Sequence, residues 1–226
     1  MKIYEREIEI SKDYIKININ DFNEYVDAKH LILEENELVT LIDKSINLAN
    51  LRGGFVSYTN FVFDEKNFLL EIEKIPLNIN KKIFKSLKKS EIISIILCTA
   101  GEGITELIRQ FNESGDYLRG YIVDLIGSII VEKVADYIHN LIRVYLKKNI
   151  TNRYSPGYCG WPTSDQFNIF KLIPEYFCGI KLNERGLMIP IKSISGIVGS
   201  GENVKYISYE CNACNDKNCI YRRIKS

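Results

Sequence analysis

Residues 117–146 read YLRGYIVDLIGSIIVEKVADYIHNLIRVYL, and this stretch decides the fold class. It contains no proline, and its apolar residues recur at helical spacing, which predicts one long helix near 116–148. Upstream, residues 92–99 form a continuous apolar run typical of a buried strand. A long helix beside strands predicts an α+β fold, a single domain in which a twisted, mainly antiparallel sheet is flanked by helices.

The rest of the chain alternates between strand-like and helix-like segments. No repeat or low-complexity linker divides it, so we expect one domain over residues 1–226. Strands are expected within residues 2–19, 55–63, 68–75, 187–191, 193–201 and 206–210, and further helices within 36–51, 81–90, 104–113 and 164–173. Ser164 or Asp165 is the expected N-cap of the last helix.

Composition excludes several classes of protein. The 226 residues are 46% hydrophobic and 26% charged, as in ordinary globular proteins. A formal net charge of +1 argues against a general nucleic-acid binder, which carries a basic excess. The longest apolar run, residues 92–100, is too short to span a bilayer, and the chain opens without a signal-peptide pattern. We expect a cytoplasmic protein with neither nucleic acid nor membrane as partner.

The long helix predicts a polar stripe. Asp124, Ser128, Glu132 and His139 fall within about 80° of one another on a helical wheel. Apolar residues flank the first two, which predicts that Asp124 and Ser128 are buried and need partners, either a bound ammonium or hydroxyl group or nearby backbone. His139 is interpreted as structural. Lys133, Asp136 and Asn140 are interpreted as an ordinary solvent-exposed face.

Residues 153–162, RYSPGYCGWP, combine one arginine, three aromatic rings, two glycines and two prolines. Such a composition punctuates helices and strands and is typical of a loop. Two interpretations stay open at this point. The loop is a rigid binding surface, in which Arg153 holds a carboxylate and the glycines allow close backbone approach, or it is a tight surface turn with Trp161 as a buried anchor.

Three cysteines lie close together near the end of the sequence, at Cys211, Cys214 and Cys219. Thiolates at this spacing in residues 211–222 can ligate zinc or an iron–sulfur cluster, with a fourth ligand from Cys159 or Cys178. Clustered free thiols are the alternative, because zinc sites normally show two clear cysteine pairs.

Three segments together resemble a known family. These are VEKVADYIH at 131–139, RYSPGY at 153–158 with the pattern R-x-x-x-G-Y, and MIPIKSISG at 188–196 with the pattern P-x-x-S-x-S-G. They resemble the activation domain of cobalamin-dependent methionine synthase, which binds S-adenosylmethionine and remethylates cob(II)alamin after one-electron reduction. The cysteine cluster lies outside the segments that carry this resemblance.

The resemblance implies a role for each matching residue. Arg153 holds the carboxylate of S-adenosylmethionine and Glu132 its ammonium group. The backbone at Ser155 and Gly157 binds adenine or the amino-acid end, and Tyr158, the expected catalytic residue, stands near the sulfonium methyl and the corrin. Residues 193–196 form the floor of the pocket, with Ser195 and Gly196 as further cofactor-binding residues.

The chain departs from the family in two ways. Ile197, Val198 and Gly199 follow the S-x-S-G element where the family has bulky aromatic residues. The cobalamin-binding signature D-x-H-x-x-G is also missing, as are homocysteine and folate modules. The resemblance therefore implies a free-standing activation protein whose cobalamin lies on a partner, a corrinoid protein or split methionine synthase, with flavodoxin or ferredoxin as electron donor.

A second hypothesis is a non-catalytic metal-binding or electron-transfer adaptor for a corrinoid methyltransferase, in which the cofactor pocket is vestigial. The aromatic residues missing after Gly196 favour it. A third hypothesis is a purely structural protein.

Overall fold

A five-stranded antiparallel sheet organises the protein in the computed structural model, which describes residues 1–22 and 33–207. The strands are β1 (Lys2–Glu9), β2 (Arg52–Tyr58), β3 (Phe61–Asp64), β4 (Leu69–Ile72), β5 (Ile75–Leu77), β6 (Ile92–Thr99), β7 (Asn149–Ile150), β8 (Lys181–Leu182), β9 (Met188–Ile189) and β10 (Ser193–Gly201). The helices are α1 (Ile19–Phe22), α2 (Glu35–Leu48), α3 (Lys81–Leu87), α4 (Glu102–Glu113), α5 (Tyr117–Leu146) and α6 (Gln166–Lys171). The main sheet has the order β1-β2-β6-β10-β7, so the predicted α+β class with antiparallel pairing is confirmed.

Strand β6 is buried along its whole length because both faces of the sheet are covered. Ile96 and Cys98 face a core shared with α2, α4 and α5. Ile93, Ile95 and Leu97 face a second core shared with α3, α6 and the small sheet β3-β4-β5. An antiparallel strand with one wet face alternates apolar and polar residues, whereas this strand reads as one apolar run because no side of it meets water.

Helix α5 is the predicted long helix, and its two ends follow from local residues. Asp116 caps the first turn, its side chain accepting a hydrogen bond from the backbone N–H of Arg119 at 3.1 Å. The helix ends where Lys147 takes a left-handed conformation with φ of 51°. Its apolar stripe packs on the sheet, and Gly53 of β2 makes room for it, since a Cβ there would lie 2.6 Å from Ile138 Cγ1.

Over the described residues, no helix is both long enough and apolar enough to cross a bilayer, although α5 has the necessary length.

The predicted N-cap of the last helix is confirmed as Asp165, although its side chain makes no capping hydrogen bond and instead binds Trp161 and Asn78. One local prediction needs correction. Tyr206 and Ile207 are not in a strand, and residues 208–210 of that predicted strand lie outside the described residues. Strand β9 (Met188–Ile189) lies within the predicted strand at 187–191 and pairs with β8 (Lys181–Leu182) in a hairpin.

Candidate functional site

The Arg153 guanidinium packs against the middle of α5 and forms the centre of a charged cluster. One of its terminal nitrogens forms an ion pair with Glu132, and the other lies 3.1 Å from the Asp136 carboxylate. Arg153 is largely buried, with 15% of its side chain exposed, whereas Glu132 and Asp136 are 38% and 68% exposed. The two carboxylates are four residues apart, so they share one face of the helix and meet the same guanidinium.

The electrostatics of this cluster are dominated by the two carboxylates. Burial alone would lower the pKa of Arg153, but the attraction of Glu132 and Asp136 outweighs it, and the pKa is raised above its ordinary value. The guanidinium is therefore permanently charged. A buried, charged arginine facing a partly exposed carboxylate offers one acceptor and one donor surface to a zwitterion.

Strand β10 holds the backbone of Arg153 in place. Tyr154 forms an isolated bridge with Ile197, its N–H donating at 3.0 Å and its carbonyl accepting at 2.8 Å. Gly196 lies directly beneath this segment, because a Cβ there would be 2.7 Å from the Tyr154 carbonyl and 3.2 Å from Arg153 Cγ. The S-x-S-G element thus requires its glycine for the close approach of the Arg153 segment.

The other end of the loop is a structural anchor. Trp161 is 1% exposed, and its indole Nε1 donates to Asp165 Oδ2 at 2.7 Å. Asn78 donates to the same carboxylate from its backbone N–H and, at 3.1 Å, from its side chain. Asn80 donates to the carbonyl of Cys159. The interpretation of Trp161 as a buried anchor is therefore confirmed.

Between these ends the chain makes a tight turn. Gly157 has φ of 94°, and its N–H donates to the Trp161 carbonyl at 2.8 Å. The N–H of Tyr158 donates to the Ser155 carbonyl at 3.1 Å. The Tyr158 ring projects outward with 49% of the residue exposed. A fixed turn that carries an exposed ring is suited to contact a ligand above the loop.

Ser195 lies on a different side of β10 from the charged cluster. Its neighbour Ile197 belongs to the core that contains α6, and its own hydroxyl lies 2.7 Å from Gln166 Nε2 and 2.9 Å from Gln166 Oε1. Successive residues of a strand point to opposite faces, so the Ser195 side chain points away from the face that Gly196 presents to Arg153.

The residues that follow Gly196 are core residues. Ile197 and Val198 are fully buried, one in each of the two cores. They follow the S-x-S-G element, where the resemblance implies bulky aromatic residues. Here their side chains pack into the cores on the two sides of the sheet.

Lys192 contacts α5 on the N-terminal side of Glu132. Its Nζ is 2.8 Å from Asp124 Oδ1 and 3.0 Å from Ser128 Oγ. The prediction that Asp124 and Ser128 need partners is confirmed, but the prediction that Asp124 is buried is wrong, since its side chain is 48% exposed. A helical wheel does not contain Lys192, which comes from the far end of the chain.

His139, the last residue of the predicted polar stripe, is a structural residue, as predicted. It is buried, and its Nε2 lies 2.8 Å from the Thr151 carbonyl, just before the loop. Burial lowers its pKa, the effect expected for an imidazole removed from water. The neutral ring donates to the carbonyl and ties α5 to the start of the loop.

The predicted metal ligands Cys211, Cys214 and Cys219 lie outside the described residues, so the metal site stays a prediction. Within residues 1–22 and 33–207, no group of three or more His, Cys, Asp or Glu side chains is arranged to hold a metal ion. Cys178 is buried, and burial raises the pKa of its thiol. A thiol held in its protonated form is poorly suited to ligate a metal.

Of the sequence-predicted residues, the structure brings together Glu132 and Arg153, which form an ion pair. Ser155 and Gly196 lie beside them, since a Cβ at Gly196 would be 3.1 Å from Ser155 Oγ and 3.2 Å from Arg153 Cγ. Gly157 and Tyr158 lie further along the same loop. Asp136, which was interpreted as part of a solvent-exposed face, also belongs to the cluster. Its spacing of four residues from Glu132 was the available signal.

Comparison with known proteins places this geometry in context. A family model described as "Vitamin B12 dependent methionine synthase, activation domain" matches residues 82–224. That range includes the cysteine cluster, contrary to the expectation that the cluster lies outside the resemblance. Among solved structures, the chain is similar to one titled "Crystal Structure of the MetH Reactivation Domain bound to AdoHcy". The TM-score is 0.63 at 17% identity, over 91% of this chain and 81% of that one, which supports the same fold.

Proposed function

The chain belongs to the family of vitamin B12-dependent methionine synthase activation domains, and we propose that it binds S-adenosylmethionine in the Arg153 cluster and supports the reactivation of cobalamin on a partner protein. The solved structure of similar fold is described as bound to AdoHcy, the product of methyl transfer from S-adenosylmethionine. A ligand of this class has the chemistry that the cluster can recognise.

The ion pair between Arg153 and Glu132 carries the proposal. The amino-acid end of S-adenosylmethionine has one carboxylate and one ammonium group, and the pair has one partner for each. Arg153 would take the carboxylate in a bidentate contact, and Glu132 would take the ammonium. In the ligand-free protein the two side chains neutralise each other, so neither charge is buried without a partner.

The loop would hold the rest of the ligand. The backbone at Ser155 and Gly157 would contact adenine or the amino-acid end, with Ser195 and Gly196 forming the floor through their backbone. Tyr158 would stand beside the sulfonium methyl, and the exposure of its ring on a fixed turn supports this role. Its contribution to the reaction would be orientation, because a sulfonium is already a good leaving group.

The reaction would transfer the methyl cation equivalent of S-adenosylmethionine to the cobalt of a reduced corrinoid and release S-adenosylhomocysteine. One electron must first reduce cob(II)alamin, and a flavodoxin or ferredoxin would supply it. The corrinoid would be held by a partner, a corrinoid protein or a split methionine synthase. The residues of this chain would bind the methyl donor and exclude water from the transfer.

Isothermal titration with S-adenosylmethionine tests the proposal. Wild-type protein is expected to bind, and Arg153→Ala is expected to bind at least about 30-fold more weakly, the loss typical when one partner of a buried charge pair is removed. Arg109→Ala is the matched control, because Arg109 also contacts two carboxylates, Glu106 and Glu113, but lies on the surface of α4.

Absence of binding to the wild type, or equal binding to the wild type and Arg153→Ala, would overturn the proposal. Circular dichroism spectra and melting curves of the three proteins show whether each variant remains folded at the temperature of the titration.

A further inference from the structure

We propose that Asn152 is a positioning residue for Arg153, and that it acts by fastening the segment at residues 204–207 to the start of the loop. This inference rests on the proposed function, because Arg153 is the expected partner of the ligand carboxylate. Two contacts of the segment support it, one with Asn152 and one with His139 of α5.

The side chain of Asn152 pairs with the backbone of Ile207 as a neighbouring β-strand would. Its Nδ2 donates to the Ile207 carbonyl at 2.6 Å, and its Oδ1 accepts from the Ile207 N–H at 2.8 Å. Asn152 is only 6% exposed, so these hydrogen bonds give each polar atom of a buried amide its partner. The amide therefore has one orientation, in which it holds Ile207 beside the loop.

A second link joins the same segment to the same part of the loop. The Tyr206 ring packs beside the His139 imidazole, with 6.1 Å between the ring centroids. His139 Nε2 lies 2.8 Å from the Thr151 carbonyl. Val204 is buried, which fixes the segment shortly after β10. The segment is thus tied to the two residues that precede Arg153, once directly and once through α5.

These contacts bear on the ligand site because Asn152 is adjacent to Arg153 in the chain. Strand β10 holds the residue after Arg153, since the Tyr154 N–H donates to the Ile197 carbonyl at 3.0 Å. Asn152 holds the residue before it through residues 204–207. A long arginine side chain meets a carboxylate in a fixed geometry when its backbone is held on both sides, and such preorganisation increases affinity.

The test measures how well each protein recognises the amino-acid end of a ligand. S-adenosylhomocysteine has this end and 5′-methylthioadenosine lacks it, and both are titrated into the wild type and Asn152→Ala. The preference for S-adenosylhomocysteine is expected to fall about tenfold in Asn152→Ala, on the order of the net contribution of two hydrogen bonds. A defect in positioning affects only the ligand that Arg153 contacts, so the affinity for 5′-methylthioadenosine is expected to match the wild type.

Asn149→Ala is the matched control. Asn149 also donates its side-chain amide to a backbone carbonyl after β10, that of Glu202 at 3.1 Å, but it lies in β7 at the edge of the main sheet. Its preference for S-adenosylhomocysteine is expected to match the wild type. An equal fall in Asn149→Ala would overturn the inference, because the effect would then not depend on the residue beside Arg153.

A double variant separates the positioning of Arg153 from a general loosening of the loop. If Asn152 acts through Arg153, the preference in Asn152→Ala/Arg153→Ala equals that in Arg153→Ala alone. A further fall of the preference in the double variant would contradict the proposed role.

Tyr206→Ala removes the second link and leaves Asn152 in place. Tyr206 is 63% exposed, so this variant is expected to fold, and the preference should fall about threefold. Melting curves show whether Asn152→Ala is folded, and if it is not, Tyr206→Ala decides. An unchanged preference in the deciding variant overturns the inference and leaves the proposed function intact. If the wild type binds S-adenosylhomocysteine no better than 5′-methylthioadenosine, the proposed function fails and the inference fails with it.

Discussion

The two ends of the loop at residues 153–162 make similar contacts but differ in their exposure to solvent. At one end, Trp161 is buried and gives its single donor to Asp165, which Asn78 also contacts. At the other end, the buried Arg153 guanidinium meets two carboxylates that are partly open to solvent. Both ends pair a carboxylate with a donor, but only the Arg153 end leaves charged groups that a ligand can reach.

The difference shows how one short segment can join a structural anchor to a proposed binding surface. A ligand site gains affinity when its groups are held in place before binding. The Trp161 end fixes the turn, and the close contact with Gly196 fixes the backbone under Arg153. Of the two interpretations of the loop that the sequence left open, the buried Trp161 anchor is confirmed, and the binding surface at the Arg153 end stays a prediction.

Trp161→Ala is expected to have the largest effect, and on stability rather than on recognition. Loss of a fully buried indole should lower the free energy of unfolding by about 3–5 kcal/mol, measured by urea denaturation. Trp161→Phe keeps most of the packing but removes the hydrogen bond to Asp165, and it should cost about 1–3 kcal/mol. If Trp161→Phe were as stable as the wild type yet unable to bind S-adenosylmethionine, the contrast between the two ends would be reversed.

Gly196→Ala probes the Arg153 end and is expected to have a smaller effect. The new Cβ would clash with the Tyr154 carbonyl at 2.7 Å and shift the segment that holds Arg153. We expect the affinity for S-adenosylmethionine to fall about tenfold, because this clash moves a contact group by a fraction of an ångström.

Gly115→Ala is the control for this substitution, measured by the same titration. Gly115 has φ of 83°, so alanine is strained there, but nothing lies within 4 Å of the new Cβ. Equal affinities of Gly196→Ala and the wild type would show that the Arg153 segment does not depend on its contact with β10.

The sequence predicted those features that depend on neighbours along the chain. The apolar run of β6, the span of α5 and the S-x-S-G strand are all local patterns, and the structure confirms them. The polar stripe of α5 was visible on a wheel for the same reason. The family resemblance predicted that Glu132, Arg153 and Gly196 line one pocket, and in the structure these three residues lie close together.

What the sequence missed depends on distant parts of the chain. Lys192 reaches Asp124 from 68 positions away, and no periodicity of α5 contains that contact. The contact of Asp136 with Arg153 depends on how the loop at residues 153–162 packs against α5. Asp165 occupies the N-cap position that the local sequence predicts, but its carboxylate binds Trp161 and Asn78 and does not cap the helix.

The most direct test of the central claim combines a variant with a change in the ligand. S-adenosylhomocysteine and 5′-methylthioadenosine share the adenosine and the thioether, and differ in the amino-acid end that Arg153 would hold. The affinities of both are measured by titration in the wild type and in Arg153→Ala. The account predicts that the wild type prefers S-adenosylhomocysteine by at least about 30-fold and that this preference largely disappears in Arg153→Ala. The same preference in both proteins would contradict it.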